Sequence, residues 1–129
     1  MNVTVFNPHG HSIPRVPFSR IAKTILGTGY VLSVIFVDTK TSARLNKRYR
    51  TINRPTDILS FALDATTGEL YISMNETRKK ARAFGRSGAT YLPYLFIHGC
   101  LHLKGLSHGR RMDLLEHKYC KAFSIPPLH

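Results

Sequence analysis

The sequence is poor in cysteine and has no long apolar run. Its two cysteines, Cys100 and Cys120, are too few for a disulfide scaffold, so we expect both to be reduced, buried thiols. A helix that spans a bilayer needs about 18 or more apolar residues. The sequence contains no such run, so we expect no membrane partner. The first residues, MNVTVFNPHGHSIPRVPF, lack the basic start and the apolar stretch of a secretory signal, which favours a cytoplasmic location.

Internal repeats, low-complexity tracts and linkers are also missing. The composition, with 43% hydrophobic and 20% charged residues, is ordinary for a globular protein. A chain of 129 residues is long enough to bury one core without disulfides or other cross-links. We therefore expect residues 1–129 to form a single domain.

The shortage of acidic residues leaves the chain strongly basic. Its 19 Lys and Arg residues outnumber its 7 Asp and Glu residues, for a formal net charge of +12. Nucleic acid is the favoured partner of such a surface, because each phosphate that the protein neutralises releases condensed counterions. The alternative is a basic surface that serves only solubility.

Segments rich in β-branched and alternating apolar residues predict four strands. Residues 2–6 and 31–38 flank a predicted helix, and this strand–helix–strand order favours a right-handed crossover between parallel strands. Residues 56–63 and 69–74 flank DATTG, whose composition favours a tight reversal and an antiparallel hairpin. The predicted sheet is therefore mixed.

Helical periodicity and helix-ending residues predict five helices. They cover residues 17–26, 39–49, 76–84, 91–104 and 110–123. Asp38 or Thr39 is the expected N-cap of the second helix, and Gly85 and Gly105 end the third and fourth. The predicted fold is a small α+β domain, a mixed four-stranded sheet packed with about five helices. The mostly apolar helix at 91–104 should be central to the core.

The run HGCLHLKGLSH, from His98 to His108, is the candidate metal site of this chain. His98 and His102 are four residues apart, so on a helix their imidazoles share one face and can bind one cation. Gly105 then breaks the helix, which allows His108 to reach the same ion. Three imidazoles with an open fourth position are typical of catalytic zinc. The alternative interpretation is packed or surface histidines of a basic chain.

The same spacing, glycine included, occurs in the metzincin pattern H-E-x-x-H-x-x-G-x-x-H. Here Gly99 replaces the glutamate that serves as general base in those proteases. A metallopeptidase is therefore disfavoured, while the ligands for a metal remain. Hydrolysis of another bond becomes the better hypothesis, and the basic surface points to a phosphodiester. Four histidines lie outside the run, and for three of them, His9, His11 and His117, we expect structural or neutral roles.

Four segments together resemble the YbeY family of metal-dependent endoribonucleases. They are LNKRYRTINRPTDILSF at 45–61, GELYIS at 68–73, the histidine run, and MDLLE at 112–116. The resemblance covers most of the chain and implies a mixed-sheet α+β fold. It also implies one zinc ion on His98, His102 and His108, and cleavage of single-stranded RNA. The implied partners are rRNA and ribosomal particles, with roles in rRNA 3′-end processing, ribosome maturation and quality control.

The resemblance also suggests two catalytic residues. The arginine of the LN-x-x-[YW]-R segment matches Arg50, and the first histidine of the run, His98, is expected to be functional as well as ligating. A guanidinium can meet two phosphate oxygens at once as charge develops, which suits Arg50 to this task. The sequence departs from the family where a Tyr-Asp pair usually precedes the third histidine, because Leu106 and Ser107 stand there.

The roles of four further polar residues stay open. Thr56, Asp57 and Ser60 are expected to shape a strand edge beside the site, with Asp57 as a possible cap. Glu116 could orient a ligand histidine or pair with Lys118 or an arginine. A second function also stays open, that of a ribosome-associated RNA-binding factor whose metal is mainly structural.

Overall fold

The computed structural model describes residues 2–128. Its strands are β1 (Val3–Phe6), β2 (Val31–Val37), β3 (Ile58–Asp64) and β4 (Thr67–Ser73). Its helices are α1 (Phe18–Leu26), α2 (Thr39–Arg50), α3 (Met74–Ala83), α4 (Gly88–Leu103) and α5 (Arg110–Ala122). All nine predicted elements are present among the described residues, each within a few residues of its expected bounds.

The strands form one mixed sheet in the order β1-β2-β4-β3. β1 pairs in parallel with β2, where Val5 lies opposite Val34, and β2 pairs in parallel with β4, where Val34 lies opposite Leu70. β3 pairs antiparallel with β4. The parallel pair around α1 and the antiparallel hairpin are both as predicted, and the α+β fold class is confirmed.

The β3–β4 turn is tighter than the sequence predicted. DATTG was expected to connect the strands, but β3 continues to Asp64 and β4 begins at Thr67. The Asp64 side chain is the physical reason, because its Oδ1 accepts a hydrogen bond from the Thr66 amide at 2.9 Å and closes the turn locally. Most of the predicted loop is therefore strand.

Helix α4 is the central helix of the core. Most of its 16 residues are buried, and it contacts α1, α3, α5 and β3. It begins at Gly88 rather than at the predicted Tyr91, because the hydroxyl of Ser87 accepts a hydrogen bond from the Thr90 amide and caps an additional turn. The expected position of the histidine helix in the core is therefore correct.

Both cysteines are free and buried, as predicted. Cys100 and Cys120 belong to the hydrophobic core, and neither is a member of the histidine cluster. Burial raises the pKa of the Cys120 thiol to about 11 and also raises that of Cys100. Both side chains therefore act as small apolar residues at neutral pH.

The described helices are all short. The longest, α4, has 16 residues, whereas a helix that crosses a bilayer needs about 20. Within residues 2–128, none of the helices has the length and apolar character needed to cross a membrane.

Candidate metal centre

His98 and His102 lie one turn apart on α4 and point their Nε2 atoms at each other. These two nitrogens are 3.1 Å apart, and both side chains are partly buried. Two imidazole nitrogens on one tetrahedral zinc ion, each at about 2.0–2.1 Å, would lie about 3.3 Å apart. The observed separation therefore fits two ligands of a single ion.

His108 joins this pair from the loop after α4. The chain leaves the helix through Gly105, whose φ of 98° is easily adopted only by glycine, and the Leu106 amide donates to the Leu101 carbonyl at 3.1 Å. The reversal brings the His108 ring centroid to 4.7 Å from that of His102. One nitrogen from each of the three histidines lies within 4.8 Å of the others, so the cluster could hold a metal ion.

The first two histidines are held in the orientation that a metal requires. Nδ1 of His98 contacts Oε2 of Glu116, and Nδ1 of His102 lies 3.0 Å from the Leu106 carbonyl oxygen. Because a carbonyl can only accept, Nδ1 of His102 carries the proton, and its Nε2 lone pair is free to bind a cation. The donor set therefore fits a borderline-soft ion such as zinc.

Glu116 lies where it can orient a ligand histidine, one of the roles that the sequence left open. Its side chain is buried, with 3% exposure, and its two oxygens contact His98 Nδ1 and the Tyr94 hydroxyl, which donates at 3.2 Å. Burial and the Glu116 charge raise the pKa of Tyr94, so the phenol stays protonated and keeps donating. Lys118, one of the alternative partners, has its ammonium 5.4 Å from the centroid of the Tyr119 ring. Glu116 therefore orients a histidine of the cluster.

The environment of His102 favours a neutral imidazole. Burial is the largest cause of its lowered pKa, and the neighbouring His98 acts in the same direction. A neutral imidazole is the form that binds metal, because protonation would occupy the Nε2 lone pair.

The histidine cluster opens into a cleft of about 570 Å³ that also contains Arg50. Arg50 is the last residue of α2, and its side chain is exposed. Its positive charge is one of the smaller causes, after burial, of the lowered pKa of His102. The structure therefore brings Arg50 and the three histidines to one cleft, although they come from two helices and a loop.

Thr56, Asp57 and Ser60 also line the cleft, but they are engaged in structural bonds. The Thr56 amide donates to Oγ of Ser42 at 3.0 Å, and the Ser60 hydroxyl donates to the Gly99 carbonyl at 3.3 Å. Asp57 accepts from the Ile58 amide at 2.8 Å and from the Tyr91 hydroxyl at 3.1 Å. These bonds join β3 and the two residues before it to α2 and α4, which agrees with the expected structural roles.

Gly99 is buried where α4 packs closely on the sheet. A Cβ at this position would lie 2.6 Å from Cδ1 of Ile58 and 3.1 Å from Cδ2 of Leu70. The position that holds glutamate in metzincins therefore faces apolar side chains of the core. The missing glutamate is visible in the sequence, whereas this close packing depends on contacts with Ile58 of β3 and Leu70 of β4.

The model of the family described as Endoribonuclease YbeY matches residues 16–121. The chain belongs to the YbeY family. Endoribonuclease YbeY of Acholeplasma laidlawii is 36% identical over 89 residues, which cover 66% of this chain and 65% of that protein. Endoribonuclease YbeY of a Sulfurovum species is 32% identical over 120 residues, which cover 83% of this chain and 80% of the relative.

The chain is aligned with slightly less than two thirds of some YbeY relatives, with 65% of the Acholeplasma protein and 63% of the one from Oenococcus oeni. A solution structure from Thermotoga maritima has a similar fold, with a TM-score of 0.63 and 24% sequence identity. The alignment covers 98% of this chain and 94% of that one. This likeness concerns the fold.

The departure from the YbeY pattern before the third histidine does not disturb the cluster. Leu106 contacts His102 through its main-chain carbonyl, while its side chain packs partly buried against the core. Ser107 is exposed. Because a main-chain carbonyl is present whatever the side chain, the orientation of His102 does not need the family's usual residues here.

Proposed function

We propose that this protein is a zinc-dependent, single-strand-specific endoribonuclease that acts in rRNA 3′-end processing, ribosome maturation and quality control. The observation that carries the proposal is a cleft that combines Arg50 with the cluster of His98, His102 and His108, in a chain of the YbeY family. rRNA and ribosomal particles are the proposed partners. A cytoplasmic location and a single domain over residues 1–129 belong to the same proposal.

One zinc ion would be held by the three histidines. No fourth His, Cys, Asp or Glu joins this cluster within residues 2–128, and an open position is typical of catalytic rather than structural zinc. The chemistry that zinc supplies when bound is polarisation of a phosphoryl oxygen and acidification of a water molecule.

Arg50 is proposed to bind the phosphate of the bond that is cut. Neither of the two ion pairs found within residues 2–128 involves Arg50, so its guanidinium is available for a phosphate. A guanidinium can donate two parallel hydrogen bonds to phosphate oxygens and stabilise charge that develops there. His98 is proposed as the second catalytic residue, and Glu116 acts as a positioning residue that holds its ring.

The cleft wall supports a single-stranded substrate. Two aromatic side chains that line it are well exposed, Tyr49 at 56% and Phe84 at 50%. Phe61 packs edge-to-face against Tyr49 with 5.0 Å between ring centroids and limits its movement. Exposed aromatic rings stack on unpaired bases, whereas bases inside a duplex are already stacked on each other.

The decisive experiment is cleavage of a labelled single-stranded rRNA fragment by zinc-loaded wild type, His98→Ala and Arg50→Ala, with bound metal quantified in each sample. We expect both substitutions to abolish cleavage, with metal lost only from the first. His117→Ala and Arg44→Ala are matched controls, because both residues are exposed and neither borders the cleft.

Full activity of Arg50→Ala would contradict its assignment, and equal cutting by His98→Ala would reveal a contaminating nuclease. A zinc-loaded wild type that binds RNA without cutting it would support the alternative of a ribosome-associated RNA-binding factor. In that case, a chelator should lower thermal stability and leave RNA affinity unchanged.

A further inference from the structure

A second cavity adjoins the cleft of the histidine cluster. This groove has a volume of about 480 Å³ and lies between α3 and the loop that follows α2. Arg50, Thr56, Asp57 and Lys80 border both cavities, so the groove begins where the cleft ends. Arg54 and Lys79 border the groove alone.

The loop that carries Arg54 is fixed by two buried side chains of α2. Asn46, 2% exposed, donates through its amide nitrogen to the Arg54 carbonyl at 2.9 Å. Ser42, also 2% exposed, donates to the Thr56 carbonyl at 2.6 Å and accepts from the Thr56 amide at 3.0 Å. The main chain at Arg54 is therefore held against a rigid helix, although its side chain is exposed.

The charges in the groove are unbalanced. Four cations border it, Arg50, Arg54, Lys79 and Lys80, against two carboxylates. Asp57 accepts from Tyr91, and Glu76 lies 3.2 Å from the ammonium of Lys79. Because the Lys79 side chain is 65% exposed, this pair is weak, and the ammonium can turn from Glu76 to a phosphate. Neither Arg54 nor Lys80 forms an ion pair with an acidic side chain within residues 2–128. The groove thus offers exposed positive charge to an anion.

We propose that this groove is a second RNA subsite, in which Arg54 and Lys79 bind phosphates of nucleotides next to the cleavage point while Lys80 bridges cleft and groove. RNA is favoured over an acidic protein because the groove continues directly from a cleft that contains Arg50 and the histidine cluster. A single strand of RNA that lies in the cleft would continue into the groove. The inference rests on the proposed nuclease function and extends it to longer substrates.

The test compares oligouridylates of about 3 and about 12 nucleotides, since single-strand sites in proteins take about 4–16. Binding of each labelled RNA to the zinc-loaded protein is measured by fluorescence anisotropy on ice over a series of salt concentrations, and RNA integrity is checked afterwards on a gel. The variant is Arg54→Gln/Lys79→Gln, which removes two charges and leaves the histidine cleft complete. The matched control is Lys23→Gln/Lys121→Gln, because both lysines are exposed and border neither cavity.

We expect the groove variant to bind the longer RNA about tenfold more weakly at low salt. The slope of log affinity against log salt should fall by about 1.4, the value for two lost phosphate contacts on a single strand. Binding of the short RNA should change by less than about twofold, since the short RNA fits within the cleft. The control variant should match wild type for both.

Three results would overturn the subsite. The first is an unchanged affinity of the groove variant for the longer RNA. The second is an equal loss of affinity for both RNAs, and the third is an equal loss of affinity in the control variant. The second and third results would indicate only long-range electrostatic attraction. An oligoglutamate peptide that binds as tightly as the long RNA, with the same dependence on Arg54 and Lys79, would instead make the groove a docking surface for acidic protein.

The two proposals fail separately. If wild type binds the long RNA through Arg54 and Lys79 but never cuts it, the nuclease function fails and the groove still binds RNA. If wild type cuts both RNAs and the groove variant cuts and binds the long one equally well, only the second subsite fails.

Discussion

Helix α4 and the loop after it contribute to the histidine cluster in different ways. The two helical histidines are partly buried, and each has its Nδ1 held, one by Glu116 and the other by the Leu106 carbonyl. His108 is exposed on a loop between two glycines of positive φ, and no hydrogen bond to its ring occurs within residues 2–128. The helix therefore presents two ligands before any metal arrives, and the loop adds the third. Such preorganisation reduces the entropy that metal binding must overcome.

The largest effect should come from a substitution that separates α4 from the sheet. Gly99→Glu would force a carboxylate against Ile58 and Leu70, so we expect the free energy of unfolding to fall by about 4 kcal/mol or more. Thermal denaturation followed by circular dichroism would measure the loss. Ala89→Glu, exposed in the first turn of the same helix, should remain within about 0.5 kcal/mol of wild type. A stable Gly99→Glu protein would show that α4 does not need this close packing.

Removing one histidine from each region tests the comparison directly. His108→Ala leaves the helical pair intact, so we expect weakened zinc binding that remains measurable by chelator competition. His102→Ala leaves one helical and one loop histidine and should bind zinc at least about tenfold more weakly than His108→Ala, because the oriented pair is lost. Equal affinities for the two variants would mean that the helix provides no preorganisation.

The next largest effect, on zinc affinity, should follow a change in Glu116, the residue that orients His98. Glu116→Gln keeps the size of the side chain but removes its charge, and we expect zinc affinity to fall by about 10–100-fold, as for other groups that support a ligand histidine. Asp113→Asn removes a charge from an exposed position of α5, the helix that also carries Glu116, and should leave the zinc affinity unchanged. An unaffected Glu116→Gln would show that packing around the ring alone is enough to orient it.

The smallest effect should follow Leu106→Ala. The main-chain carbonyl that contacts His102 is retained, so zinc affinity should stay within about threefold of wild type. The lost apolar contact should cost about 1–2 kcal/mol of unfolding free energy, because this side chain is only partly buried. A large loss of zinc binding without unfolding would indicate that the side chain itself shapes the loop.

Much of the fold could be predicted from local patterns. The apolar run of β2, the N-cap of α2 at Asp38 and the helix-ending Gly105 depend on residues close in sequence, and they are found where expected. The errors in the predicted element boundaries also have local causes. The predicted hairpin loop was too long because Asp64 bonds to Thr66, and α4 begins earlier because Ser87 caps it.

The sequence by itself determined the spacing of His98, His102 and Gly105, because one helical turn separates the first two and glycine ends the helix. Only the tertiary structure decided that Glu116 holds His98, that Arg50 reaches the same cleft, and that Gly99 lies against the sheet. Those contacts join residues far apart in sequence. They depend on how α2, α4, α5 and the sheet pack together, and the local periodicity of the sequence does not predict that packing.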